Sequence, residues 1–349
     1  MKKLIIISLS LMMTIGAFAQ QYLTQAKPYG KKLWGYIDQK GETVIKPVYK
    51  ACYAFSEDGL APIYEAKKYT FINTKGEIIE PEIKKILLIK GVFGFGGIEG
   101  YHDGLIAVAK GKKWGFLNTK GKVAIELKYD KVTSFSGGVA VAKLKKGFFV
   151  LNTQGEEAKI EGKGIIDVKS FSEGRAHFKT DKKLFGFIDN SGKVVIEAQF
   201  ISVGPFKGGL AWAKTSDKKI GFINKTGEWT IKPQFLAAKD FDPVSKLARV
   251  KKDDKWTYVN ESGEIISFDG IESQGNFHEG LAKGKKDGKT GFYNSKGEWV
   301  VAPEYEGVRN FKNGFAAVKK GGKWGFVDKT GKVVVEPAYA GVKDMEKVK

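Results

Sequence analysis

The chain has 349 residues, 42% of them hydrophobic and 28% charged, with a formal net charge of +20. Its single cysteine, Cys52, excludes an internal disulfide and a thiolate-built metal site, so stability has to come from packing. The lysine excess favours anionic partners, but it is interleaved with Asp and Glu along the whole chain and marks no particular site.

At the N-terminus Lys2 and Lys3 precede an apolar run from Leu4 to Ile15, followed by Ala17-Phe18-Ala19. This is the pattern of a secretory signal peptide over residues 1–19, with cleavage after Ala19. The run has 12 residues, against the roughly 20 that span a bilayer as a helix. Residues 20–349 are therefore expected to be exported, to the periplasm or the extracellular medium, without membrane insertion. Without Lys2 and Lys3 the charge is +18.

From there on the sequence repeats, and a repeat decides the architecture. The clearest copies are Trp34-Gly35-Tyr36-Ile37-Asp38, Trp114-Gly115-Phe116-Leu117-Asn118 and Trp324-Gly325-Phe326-Val327-Asp328. Nine anchors follow one another: Trp34, Tyr69, Trp114, Phe148, Phe185, Ile220, Trp256, Thr290 and Trp324, spaced 34 to 37 residues apart except for one interval of 45. Four residues after every anchor stands Asp or Asn, and seven after every anchor stands Gly, from Asp38 and Gly41 to Asp328 and Gly331. Asp or Asn opens a type I turn through its side chain, and Gly three residues later takes the left-handed conformation of a bulged hairpin loop. Alternating strands flank this turn. A Gly-Leu-Ala strand, such as the one starting at Gly104-Leu105, precedes the anchor through a lysine-rich turn, and the second hairpin strand ends in Pro-x-aromatic at Pro47/Tyr49, Pro233/Phe235, Pro303/Tyr305 and Pro337/Tyr339.

Each unit thus reads as a three-stranded β-meander, and the chain as an all-β tandem array of about nine such units. In this register the anchors lie on one face and positions such as Val123 and Ile125 on the other, so each unit needs neighbours on both sides. The repeat of ~35 residues is shorter than most propeller blades, which favours an open superhelical array over a closed propeller.

With these residues in view, the sequence resembles the WG-repeat (KWG-repeat) proteins of bacteria, whose unit reads approximately K-W-G-F-I-D-x-x-G-K-x-V-I-x-P-x-Y. Residues 323–339, KWGFVDKTGKVVVEPAY, match it nearly position for position, and the likeness covers almost all of residues 20–349. The resemblance implies a β-repeat domain over 20–349 and no general catalytic activity or cofactor.

The long interval carries an insertion at about residues 80–101, with Gly91-Val92-Phe93-Gly94-Phe95-Gly96-Gly97. It lacks the third glycine and the helix of a dinucleotide fingerprint, and reads either as a binding loop or as an irregular strand packed on the array. The histidines His102, His177 and His278 read as surface-loop residues. One oxygen-bearing side chain per turn is too few for calcium, so no metal is expected.

The candidate ligand-binding aromatics are Phe93, Phe95, Tyr101, Trp212, Trp229 and Trp299. Trp229 and Trp299 follow the two non-aromatic anchors, Ile220 and Thr290, by nine residues. The expected function is a non-catalytic binding or scaffolding protein presenting a basic surface to an envelope protein or an anionic glycan, with no catalytic residues, cofactor or nucleic acid. The alternative is a glycan-binding or glycan-processing envelope protein built on aromatic platforms.

Overall fold

A computed structural model describes residues 20–90 and 97–348. Residues 1–19, expected to be a signal peptide, and Phe93 and Phe95 lie outside the described residues. Among the described residues the chain forms 35 strands and no helix, arranged as small antiparallel sheets in tandem.

Most units hold one strand more than the sequence shows; the sheet of the second, Leu60–Glu65, Lys68–Asn73 and Ile78–Ile79, has three. In the seventh unit the order across the sheet is a return strand Ala237–Ala238, a first strand Leu247–Lys252, an anchor strand Lys255–Asn260 and a closing strand Ile265–Ile266. The return strand continues directly from the previous unit's closing strand, so that Trp229–Phe235 runs into Ala237–Ala238.

The turn after the anchor strand is built as its residues require. In all nine units the Asp or Asn Oδ1 accepts the backbone N–H groups two and four residues ahead, at 2.8–3.1 Å. The glycine that follows has φ between +73° and +91° in every unit, where a side chain is strained.

The glycine directly after the anchor has a different reason to be there. A Cβ on Gly35, Gly115, Gly186, Gly221, Gly291 or Gly325 would collide with a carbonyl oxygen of the closing strand, which bulges inward at that point. Units two, four and seven have Thr70, Phe149 and Thr257 there. Their closing strands, Ile78–Ile79, Glu157–Lys159 and Ile265–Ile266, are short and pair without a bulge. These are the units that lack the closing aromatic, whereas units three and five, with Leu127 and Ala198 in place of the proline, keep Tyr129 and Phe200 together with the glycine and the bulge. One glycine thus permits the bulge and the long closing strand together.

The core does not lie where the anchors suggest. The anchors are mostly half-buried, and Trp256 is 38% exposed. Positions two and three after the anchor, such as Phe116 with Leu117 and Phe326 with Val327, are fully buried in each unit. Val123, expected on an apolar face, is 39% exposed. Lysine or arginine side chains cover several anchors instead: Lys27 on Trp34, Lys143 on Phe148, Lys179 on Phe185 and Arg249 on Trp256. A covering alkyl stem needs bulk beneath it rather than indole, which explains why the anchor tolerates Phe, Tyr, Ile or Thr.

Every apolar cluster joins two neighbouring units. Tyr36 and Ile45 of the first pack on Ala61 and Ile72 of the second, and Phe116 and Ile125 of the third on Ala140 and Leu151 of the fourth. The same holds between last and first: Phe326 and Val335 pack on Ala26 and Ile37. The strand Gln21–Pro28 pairs with Trp34–Asp38 on one side and with Val333–Val342 and Glu346–Val348 on the other. An open array would leave these two units far apart with two apolar faces in water; here they share one sheet and one core.

Candidate functional site

The aromatics singled out in the sequence do not form a platform. Tyr101 is 1% exposed, wedged against Phe71 and donating its hydroxyl to the Asn118 carbonyl at 3.2 Å, so it has no face to offer a ligand. It belongs, with Ile86, Leu88 and Ile98 of the insertion, to the core between units two and three. The stems of the insertion are therefore packed into the array. Trp229 stands edge-on to Phe200, Trp299 edge-on to Tyr293, and Trp212 donates its indole N–H to Asp240 at 3.1 Å. The three tryptophans are half-buried, each at the margin of a different core cluster.

Nor are the histidines alike. His102 is exposed, whereas His177 sits in the strand Arg175–Thr180 between Phe185 and Phe187, where burial drives its pKa down to about 4. His278 is half-buried, 3.0 Å from the Asn310 amide. Cys52 lies beside the Tyr36 hydroxyl, and burial pushes its thiol up to about 11, which keeps it protonated and unreactive. Among the described residues no group of three His, Cys, Asp or Glu side chains could hold a metal ion.

Folding concentrates the charge that the sequence spreads out. In an antiparallel meander the turn between first and anchor strands lies at one end of the sheet, and the other two turns at the opposite end. The nine first-to-anchor turns are 29–33, 65–68, 110–113, 144–147, 180–185, 214–220, 252–255, 286–289 and 320–323, and together they hold 20 lysines against six carboxylates. The turns at the other end are 38–42, 73–77, 118–122, 152–156, 189–193, 224–228, 260–264, 294–298 and 328–332, with 56–59, 102–104, 136–138, 172–174, 207–209, 242–246, 278–280 and 312–314. They hold 12 lysines against 16 carboxylates. The lysine edge is left largely unneutralised: among the described residues only Lys68, Lys113 and Lys320 of the twenty are ion-paired.

Carboxylate clasps align consecutive units at the acidic end. Asp58 accepts the Gly104 N–H at 3.0 Å, and Asp103 the Gly138 N–H at 2.9 Å. Glu173 takes Gly208 and Gly209 at 2.7 and 2.9 Å, and Glu279 takes Asn313 and Gly314 at 2.6 and 2.8 Å. Asp103, Glu173 and Glu279 hold φ near +50°, a conformation glycine would adopt without strain. Their carboxylates repay that strain by binding otherwise unpaired N–H groups of the next unit.

A cavity of about 820 Å³ opens where the chain ends meet, lined by residues from segments 50–58, 97–103, 309–313 and 343–347, with Gln25 and Trp34. Among the lining residues Arg309 pairs with Asp344 at 2.7 Å and Lys312 with Glu346 at 2.6 Å.

Comparison with known proteins places this architecture. The model of the WG containing repeat matches residues 34–69, 114–147, 185–218, 220–256, 291–324 and 324–347, together more than half of the chain. The chain belongs to the WG-repeat family. No curated protein gives a significant match to this WG-repeat chain. It is similar in fold to a structure described as the crystal structure of the eukaryotic initiation factor, at 11% identity and a TM-score of 0.63, over 94% of this chain and 98% of that one. A structure of BamB from Moraxella catarrhalis aligns at 11% identity and a TM-score of 0.43, over 77% of this chain and 92% of that one, which carries no argument.

Proposed function

We propose that this WG-repeat protein is an exported, non-catalytic scaffold: nine units closed into a propeller-like ring that presents a lysine-lined edge to an anionic envelope partner, protein or glycan. Closure is supported by the pairing of Gln21–Pro28 with the last closing strand and by the core cluster shared between the first and last units. Export rests on the pattern of residues 1–19.

The observation that carries the binding reading is the one-sided charge, 20 lysines against six carboxylates at one edge and 12 against 16 at the other. Lysines from nine turns on one edge add their fields, which draws a polyanion to that edge and fixes its orientation. A binding assay with polygalacturonate tests this. Reversing charge at Lys112 and Lys113 on the basic edge should weaken binding severalfold, while reversing Lys120 and Lys122 at the other end should leave it nearly unchanged. Equal losses from the two pairs would mean that net charge, and not a face, does the binding.

A further inference from the structure

We infer that the cavity at the meeting of the chain ends is a ligand site for an acidic sugar, separate from the lysine edge and dependent only on the pairing of the two ends. Gln25 points to a ligand first. It is 4% exposed, lines the cavity, and its Oε1 has no hydrogen-bond partner among the described residues. A buried amide left unpaired is costly, and in a folded protein it calls for a partner. The same strand position, opposite the second residue after the anchor, is filled by Ala107, Val141 and Ala317 in units three, four and nine and by Pro62, His177, Trp212, Arg249 and Lys283 in the others. The position accepts apolar and polar side chains alike, and what sets Gln25 apart is a nearly fully buried amide oxygen without a partner among the described residues.

The cavity carries six carboxylates in its lining, Glu57, Asp58, Glu99, Asp103, Asp344 and Glu346, and five Lys or Arg side chains, of which Arg309 and Lys312 are ion-paired. Lys50 and Lys343 both line it, and neither has a carboxylate within ion-pair distance among the described residues. Lys343 reaches over the Trp34 ring, at 5.8 Å from its centroid, and its ammonium partly offsets the effect of burial on the Cys52 thiol. Lys50 occupies a position after the closing strand that varies from unit to unit, with Asp130, Ile201, Leu236, Glu306 and Ala340 among its equivalents. Its equivalents after the closing strands of units three and eight are Asp130, which binds Lys113 and the Lys145 N–H, and Glu306, which binds the Gly322 N–H. Asp58 and Asp103 also line the cavity, hydrogen-bond acceptors already anchored by backbone N–H groups.

A molecule with an anionic group at one end and several hydroxyls beyond it meets all three features. The anion is held by Lys50 and Lys343, and the hydroxyls donate to the Gln25 amide oxygen and to the carboxylates. The volume of about 820 Å³ lies in the range of small-ligand sites, ~300–1,000 Å³, and accommodates a disaccharide.

Calorimetric titration of the purified protein with digalacturonate, and with its dimethyl ester as an uncharged probe of the same shape, tests the site. The acid should bind, and the ester at least tenfold more weakly. Gln25→Met removes the unpaired amide at nearly constant volume, and should weaken binding tenfold or more while leaving the melting temperature unchanged or higher. Lys343→Met keeps the backbone N–H that bonds the Gln25 carbonyl at 3.1 Å, and should weaken binding to a similar degree; it decides the matter if Gln25→Met disturbs the fold. Lys112→Gln with Lys113→Gln, on the basic edge, should leave digalacturonate binding intact, which separates this site from the polyanion face. Equal affinity for acid and ester, no heat with the acid at millimolar concentration, or full binding by Lys343→Met would each overturn the assignment.

Discussion

Replacing Gly325 by Ala tests the account of the Trp-Gly pair. The Cβ would sit 2.7 Å from the Pro337 nitrogen and 2.8 Å from the Glu336 carbonyl carbon, in addition to its collision with the Val335 oxygen. Ordinary contacts between carbon atoms lie at ~3.5–4.0 Å, so the strand Val333–Val342 has to withdraw by roughly 1 Å along a stretch of backbone. That strand and its neighbour carry Phe326 and Val335 in the core joining the last and first units, so the retreat opens packed surface and weakens the ladder. Overpacking of ~1–3 kcal/mol and a lost hydrogen bond of ~1 kcal/mol give an expected loss of about 3 kcal/mol. Gly331→Ala, at φ +87° and with a Cβ 2.6 Å from the Val300 oxygen, should cost about 2 kcal/mol. Trp324→Phe, at a half-buried position, should cost under about 1 kcal/mol. Damage in a repeat fold stays local, so urea unfolding should be read together with hydrogen exchange over residues 323–339. The reasoning fails if Gly325→Ala is no more harmful than Trp324→Phe.

Three further outcomes are expected. His177 has a folded pKa of about 4, below its unfolded value, so the stability tied to its neutral form is complete above pH ~6.5 and is lost as pH falls towards 4, at ~1.4 kcal/mol per pH unit. Melting curves of His177→Phe should be flatter across that window than those of the parent; parallel curves would show that the histidine is not the sensor. Glu279→Ala strands the Asn313 and Gly314 N–H groups while leaving the left-handed strain at that position in place, for a loss of about 2 kcal/mol and faster amide exchange in the turn 312–315. Polygalacturonate binding at the lysine edge should fall at least tenfold between 50 and 500 mM salt as the screening length shortens from ~10 Å at 0.1 M toward a few ångströms; salt-independent binding would point away from that edge.

The sequence made the turns and the repeat plain because single residues carry them: an Asx oxygen and a left-handed glycine have no substitute in that loop, and all nine copies keep both. The return strands were hidden, because two paired residues such as Ala237–Ala238 leave no alternation to detect. Tryptophan drew attention to the anchors, although Phe116 and Leu117, two and three residues on, fill the core. The glycine after the anchor was visible as a letter, but its reason, a backbone crossing, exists only once the closing strand folds over it. The meeting of the chain ends is set by the summed rotation of many units, which no local residue encodes. Charge segregation was likewise invisible, because lysines about 34 residues apart in the chain become neighbours only when the units stack. The cavity left no mark in the repeat, because the positions of Gln25 and Lys50 vary from unit to unit, with His177 and Arg249 at the first and Ile201 and Glu306 at the second.

Closure of the array is the central claim, and a spin-label distance tests it most directly. Labels at Lys40 and Glu336, both exposed, flank the contact in which Gly41 of the first unit meets Val335 of the last at 3.2 Å from its Cβ position. With Cys52 replaced by Ala, pulsed electron spin resonance should give a narrow distribution centred at roughly 10–20 Å, the spacing of packed neighbouring sheets plus the label arms. In an open stack of nine units at ~10 Å per sheet the same labels would stand roughly 80 Å apart, and a distribution there would contradict the ring.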